Sequence, residues 1–173
     1  ENLVKKSFVR VANGRFGMVR ALLAPQRPPV IWLQLQECTG CVESGLRTAE
    51  PTNGDLVLDL ISLDYQHTLM ARAGADVERA MTDSMKAHAG KYILLVTGSI
   101  PTKDGGIYCM VGGRTAQDIL EEAAKGAAAV VAIGACAHWG SVQAARPNPT
   151  GAVGVSEIIK DRPVVNIAGC PPI

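Results

Sequence analysis

At 173 residues, with 47% hydrophobic and 19% charged positions, the chain is long enough to bury the core of one domain. Seventeen Lys and Arg against sixteen Asp and Glu leave a net charge of +1, which excludes an electrostatic grip on nucleic acid or on an anionic membrane. Aromatic residues at 4% exclude base-stacking platforms, and no apolar run approaches the roughly 20 residues of a membrane helix.

Residues 1–29 read as an N-terminal arm: Lys5, Lys6, Arg10, Arg15, Arg20 and Arg27 are scattered among short apolar pieces, and prolines cluster at Pro25, Pro28 and Pro29. The string KKSFVR is a weakened twin-arginine export box, but Arg15 and Arg20 interrupt the apolar stretch that an export signal needs. From residue 30 to residue 173, short apolar runs alternate with helical patterns, the arrangement of βα units around a parallel sheet. The runs predict strands at Val30 to Leu35, Leu56 to Leu63, Tyr92 to Val96, Ala129 to Ile133 and Val164 to Ile167. Helices are expected just after Cys41, from about Thr68 to Ala89, from Thr115 to about Ala127, and around Ser156 to Lys160. Five Val, Ile and Leu-rich strands with helical connections predict an α/β fold, a doubly wound parallel sheet of flavodoxin-like type.

Five cysteines, an odd number with one close pair, do not make the dense even framework of a small secreted domain. Cys38 and Cys41 in ECTGC follow the first strand, Cys136 in GAC the fourth, and Cys170 in GCPP the fifth. Ligands of open α/β sheets bind outside the carboxyl ends of the strands, so four thiols distant in sequence are expected at one sheet edge. Cysteines buried merely as small hydrophobes would fall inside strands and helices instead. Four converging thiols suit a tetrahedral sulfur site, zinc or an iron–sulfur cluster. One C-x-x-C joined by two isolated cysteines favours the spread corners of a cubane cluster over the paired knuckles of structural zinc. Gly40, Gly134 and Gly169 beside the thiols would let backbone approach the sulfurs, although a turn alone can require each of them. Cys109 in GIYCMVGG is expected to be a buried small residue, and His67 and His88 to be helix residues. His138 and Trp139 could pack beside the site. No Ser/His/Asp set and no phosphate-cradling loop accompanies these residues.

The strings VIWLQLQECTGC, LDLISLDYQHTLM, GSIPTKDGGIYCMVGG, GACAHWGSVQAARPNPTGAVGV and NIAGCPP occur in this order. Over roughly Arg27 to Ile173 the chain resembles the N-terminal domain of the small subunit of [NiFe]-hydrogenases, especially the hydrogenase-2-like uptake group. The resemblance implies an electron-transfer subunit that holds one proximal [4Fe-4S] cluster through Cys38, Cys41, Cys136 and Cys170. It implies a Ni-Fe centre in a separate large subunit, with hydrogen oxidation or proton reduction there and no catalytic residue in this chain. Glu37 would be a proton relay at the subunit interface. Oxygen-tolerant relatives carry two extra cysteines around this cluster, at positions occupied here by Gly40 and Ser141. The family continues past GCPP into a second domain with two further clusters, which the present sequence does not contain. Its members are often periplasmic and membrane-associated, whereas the imperfect export string leaves a cytoplasmic location open.

Two other classes compete. A C-x-x-C between a first strand and a helix also describes a thiol–disulfide oxidoreductase using Cys38 and Cys41, for which Cys136 and Cys170 would be superfluous. A cluster or zinc scaffold like the related subunit of respiratory NADH:quinone oxidoreductase is the other. Its adjacent cysteine pair is absent here.

Overall fold

The computed structural model describes residues 27–172, so the expected arm 1–29 lies almost wholly outside the described residues, as does Ile173. In chain order the elements are β1 (Pro29–Gln34), α1 (Gly40–Leu46), α2 (Asn53–Asp55), a π-helical turn (Leu56–Leu60), β2 (Ser62–Tyr65), α3 (Ala75–Ala87), β3 (Ile93–Thr97), β4 (Ile100–Pro101), a 3-10 turn (Lys103–Gly106), β5 (Met110–Val111) and β6 (Arg114–Thr115). There follow α4 (Ala116–Lys125), β7 (Ala129–Ile133), α5 (Gly134–Trp139), α6 (Ser141–Ala144), β8 (Ala152–Val153), α7 (Val155–Ile158) and β9 (Val164–Ile167).

Five strands form the main sheet in the order β2-β1-β3-β7-β9, every neighbouring pair parallel. This is the doubly wound, flavodoxin-like order that the alternation of strands and helices predicts. Its inner strands are apolar because both faces are covered. On one face Ile31, Leu33, Leu94, Val96, Val130 and Ala132 pack against residues of α3, α4 and α7. Helix α4 shows why the chain turns helical there. Its buried residues Ala116, Ile119, Leu120, Ala123 and Ala124 repeat at helical spacing, and the Thr115 hydroxyl accepts the Asp118 N–H at 3.2 Å as an N-cap. On the other face Val30, Ile93 and Val131 form a smaller cluster. Helix α1 covers it incompletely, leaving a groove of about 860 Å³ lined by Trp32, Leu63, Leu95, Ile133, Pro171 and Pro172 among others.

Three expectations need correction. The run from Leu56 to Leu63 is not one strand: Leu56–Leu60 is π-helical, and β2 starts only at Ser62. The cause is a capping box at the preceding turn, where the Thr52 hydroxyl takes the Asp55 N–H at 3.2 Å and the Asp55 carboxylate takes the Thr52 N–H at 3.1 Å. The helix expected from Thr68 begins at Ala75, because Gln66 Oε1 captures the N–H groups of Thr68 at 2.6 Å and Leu69 at 3.0 Å in a turn. His67 therefore sits in that turn and not in a helix, while His88 caps the end of α3.

Strand β3 leaves the sheet at Gly98, whose φ of +93° and whose missing Cβ matter together. A Cβ there would stand 2.7 Å from the carbonyl carbon of Leu35, so only glycine lets the chain after β3 cross the chain after β1.

Leu94 is fully buried in the centre of the sheet, and Leu58 is 68% exposed on the π-helical turn. We expect Leu94→Ala to cost about 2–5 kcal/mol by cavity formation, and Leu58→Ala to stay within about 0.5 kcal/mol. Urea unfolding midpoints of the two variants measure both.

Candidate metal centre

The loops that follow β1, β7 and β9 meet at the carboxyl edge of the sheet. Cys38 lies in the loop after β1, Cys41 in the first turn of α1, Cys136 in α5 and Cys170 three residues past β9. Cys41 and Cys136 are buried and Cys38 and Cys170 exposed, all as free thiols. The loops interlock through backbone. The Ala135 N–H donates to the Gly169 carbonyl at 2.6 Å, which ties the start of α5 to the loop after β9. Gly134, at φ +88°, faces the sulfur of Cys41 so closely that a Cβ would stand 2.4 Å from Sγ. A Cβ on Gly40 would meet Cys38 Sγ at 3.2 Å and Pro171 Cδ at 4.0 Å.

The sulfurs are near enough to feel one another. The Cys41 thiol is pushed up to about 12, first by burial and then by the negative charges that Glu37, Cys136, Cys38 and Cys170 would carry. Cys136 is raised by burial too, opposed by hydrogen bonds with Gln143 and Ser141. Cys109 is not among these interacting groups. It packs, partly buried, against the main core cluster, and burial alone raises its thiol. The structure thus brings together four of the five cysteines and leaves Cys109 apart. Among the described residues no three His, Cys, Asp or Glu side chains close tightly enough to hold a single metal ion. Four soft sulfur donors with glycine backbone against them suit an iron–sulfur group.

Around the thiols stands polar structure that the sequence reading missed. The Cys136 thiol donates to Gln143 Oε1 at 3.4 Å, and Gln143 Nε2 donates to the Gln36 carbonyl at 3.2 Å, joining the loops after β7 and β1. The Trp32 indole N–H donates to Thr97 Oγ1 at 3.2 Å, and the Thr97 hydroxyl donates to Glu37 Oε1 at 2.7 Å. The second carboxyl oxygen of Glu37 is buried without a hydrogen-bond partner among the described residues. Burial raises the Glu37 carboxyl, partly countered by Thr97 and Cys41. A polar residue at positions 34 and 36 of an otherwise apolar strand run was the available signal; Gln143 and Thr97 carried none. Of the histidines, His88 Nε2 lies 3.4 Å from Asp64 Oδ2, and His67 is half-buried with Nδ1 unpartnered among the described residues. His138 and Trp139 share α5 with Cys136, and Trp139 is exposed.

This geometry does not fit a thiol–disulfide enzyme. Such an enzyme needs only its C-x-x-C pair, whereas here Cys136 and Cys170 stand beside Cys38 and Cys41 as well.

Fold and thiols together define a doubly wound α/β domain with four cysteines gathered on its sheet edge. The family model described as NADH ubiquinone oxidoreductase, 20 Kd subunit, matches residues 38–173, and the chain belongs to that family. It is similar to the Hydrogenase-2 small chain of Escherichia coli (strain K12), 52% identical over 155 residues that cover 90% of this chain and 42% of that protein. The uptake hydrogenase small subunit of Azotobacter vinelandii is 49% identical over 156 residues, covering 90% and 44%. Among solved structures, the reduced, active form of the Ni-Fe-Se hydrogenase from Desulfomicrobium baculatum superposes with a TM-score of 0.83 at 35% identity, over 85% of this chain and 57% of that chain. The chain spans less than half the length of these curated relatives.

The raised Cys41 thiol has a pH consequence. The folded form binds its proton more tightly than the unfolded form, whose thiol titrates near the ordinary 9.0, so this group's contribution is complete below pH 9 and is lost progressively as pH rises toward 12. We expect iodoacetamide at pH 8 to label the exposed Cys38 and Cys170 well before Cys41, as read by peptide mass spectrometry.

Proposed function

We propose that this chain is the cluster-bearing part of a hydrogenase small subunit. Its work is to carry electrons between a Ni-Fe centre in a partner large subunit and a further acceptor. The observation that carries this reading is the meeting of Cys38, Cys41, Cys136 and Cys170 at one sheet edge, together with the hydrogenase small subunits among its relatives. The four cysteines are the proposed ligands of a single [4Fe-4S] cluster, which when bound would take up and release one electron at a time. A cluster also relieves the mutual repulsion of the sulfurs, since coordination to iron replaces the proton that each thiol otherwise keeps.

The chain's own groups have defined parts in this scheme. Gly40 and Gly134 keep side chains out of the space beside Cys38 and Cys41. Gln143 ties Cys136 to the loop that holds Cys38. Glu37 is placed to hold a proton on its buried Oε2, with Thr97 fixing the other oxygen. That suits the proton-relay role its resemblance implies. Gly40 and Ser141 stand where oxygen-tolerant relatives have cysteines, so four thiolates give an ordinary one-electron centre.

Loss of one ligand is the direct test. We expect Cys170→Ser to lower the iron and acid-labile sulfide of the purified protein severalfold, and Cys109→Ser to leave both unchanged; equal loss in the two variants would overturn the ligand assignment. Assayed without a large subunit, the chain is expected to show no hydrogen-dependent dye reduction, and with the large subunit to support it. Dye reduction by this chain alone, free of any nickel protein, would overturn the proposed division of labour.

A further inference from the structure

The segment Cys38–Cys41 contains an anomaly. Thr39 has φ +68° and ψ 0°, the left-handed region, although it is β-branched and has glycine as its next neighbour. A β-branched residue rarely takes this conformation without being held there. Its side chain offers no cap to α1, so helix capping does not hold it.

What does hold it is buried. Gln34 is the last residue of the interior strand β1 and is only 7% exposed. Its Nε2 donates to Thr39 Oγ1 at 2.8 Å. The orientation of that amide is set from the other side by Gln66, whose Nε2 donates to Gln34 Oε1 at 3.3 Å, with the Thr68 hydroxyl 2.8 Å from the same oxygen. Gln66 is itself 1% exposed, with its own oxygen taken by the N–H groups of Thr68 and Leu69. The Thr68 hydroxyl, with a single proton, serves Gln34 or Gln66 in turn, Gln66 Oε1 lying at 2.7 Å. Flipping the Gln34 amide would turn its NH2 against the NH2 of Gln66, whose own orientation is set by the backbone N–H groups on its oxygen. The amide is therefore locked with one N–H aimed at Thr39. Burying two glutamines in a sheet is costly unless each polar atom is satisfied, and here the satisfied network ends on the two-cysteine loop.

We propose that Gln34, braced by Gln66 and Thr68, is a positioning residue that holds Thr39 in its left-handed conformation and so fixes the backbone between Cys38 and Cys41. The brace runs from the turn after β2, through β1, to the loop. It acts on the sulfurs only through Thr39 and touches none of them. This deepens the proposed function, since its consequence for electron transfer rests on Cys38 and Cys41 being cluster ligands. A loop fixed before the cluster arrives spends less conformational entropy on binding and holds the two sulfurs at one setting in both oxidation states.

The test uses the full chain and reads backbone order directly. Amide hydrogen exchange is followed by mass spectrometry for residues 38–46 and, as a control, for residues 93–97 of β3. Gln34→Met keeps the side-chain length and removes the amide, Thr39→Val removes the hydroxyl while keeping the branched shape, and Thr39→Ser keeps the hydroxyl. We expect Gln34→Met and Thr39→Val to speed exchange in residues 38–46 by about tenfold with β3 unchanged, and Thr39→Ser to exchange as the unsubstituted chain does. Where Gln34→Met loosens β3 as well, the comparison of Thr39→Val with Thr39→Ser decides. Equal exchange in these two overturns the brace. The cluster reading is scored separately by iron content and by the electron paramagnetic resonance spectrum of the reduced protein, which the brace predicts to shift in Gln34→Met. Absence of iron from the unsubstituted protein, with the loop loosened in the variants, would overturn the cluster reading and leave the brace standing. A loosened loop with an unaltered spectrum would overturn the brace's claimed effect on the cluster.

Discussion

Burial of a thiol among other ionisable groups is the constraint on which the rest of this structure turns. Burial and three neighbouring thiols, with Glu37 close by, oppose ionisation of Cys41. Negative charge brought together in a partly desolvated place is tolerated only when a cation or a proton answers it. The fold spends much of its detail on forcing the sulfurs together anyway. Gly134 presses against one of them, α5 is bonded to the loop after β9, and Gln143 spans from Cys136 to the backbone of Gln36. The proposed ligand set would exchange the proton on each of these thiols for a bond to metal.

The parallel sheet is what makes the gathering geometrically cheap. Every strand of the sheet runs in one direction, so the ends of β1, β7 and β9 open on one edge although they are separated by long stretches of sequence. The two faces then take unequal shares of the packing. Helices α3, α4 and α7 seal one face into the main core, while α1 and the π-helical turn cover the other only in part. The groove left on that face reaches Cys41, Pro171 and Pro172, so the thiol site borders an apolar surface and not only solvent.

Much of this was legible in the sequence. Buried parallel strands announce themselves as unbroken Val, Ile and Leu runs, and four of the five expected strands stand within a residue or so of their predicted limits. The second failed because Leu56 to Leu63 is apolar enough to suit a strand or a buried helix, and the capping box at Thr52 and Asp55 settles the matter locally. The convergence of four cysteines followed from strand order alone, and Cys109 separated from them because its neighbours are core residues. Side-chain hydrogen bonds were beyond reach. Whether Gln34 meets Thr39, or Thr97 meets Glu37, depends on rotamers and on contacts between residues up to 60 positions apart, which no local pattern encodes.

Strand β9 lies at the rim of the sheet, with Val165 and Ile167 each 41% exposed, and among the described residues it pairs only with β7. Cys170 is anchored through it. Edge strands open more readily than the strands they flank, at a free energy below that of global unfolding. Cys170 thus reaches the site from an edge strand, whereas Cys38, Cys41 and Cys136 follow the interior strands β1 and β7. On the proposed ligand set, a polypeptide laid along that rim would steady the fourth sulfur without touching any of them.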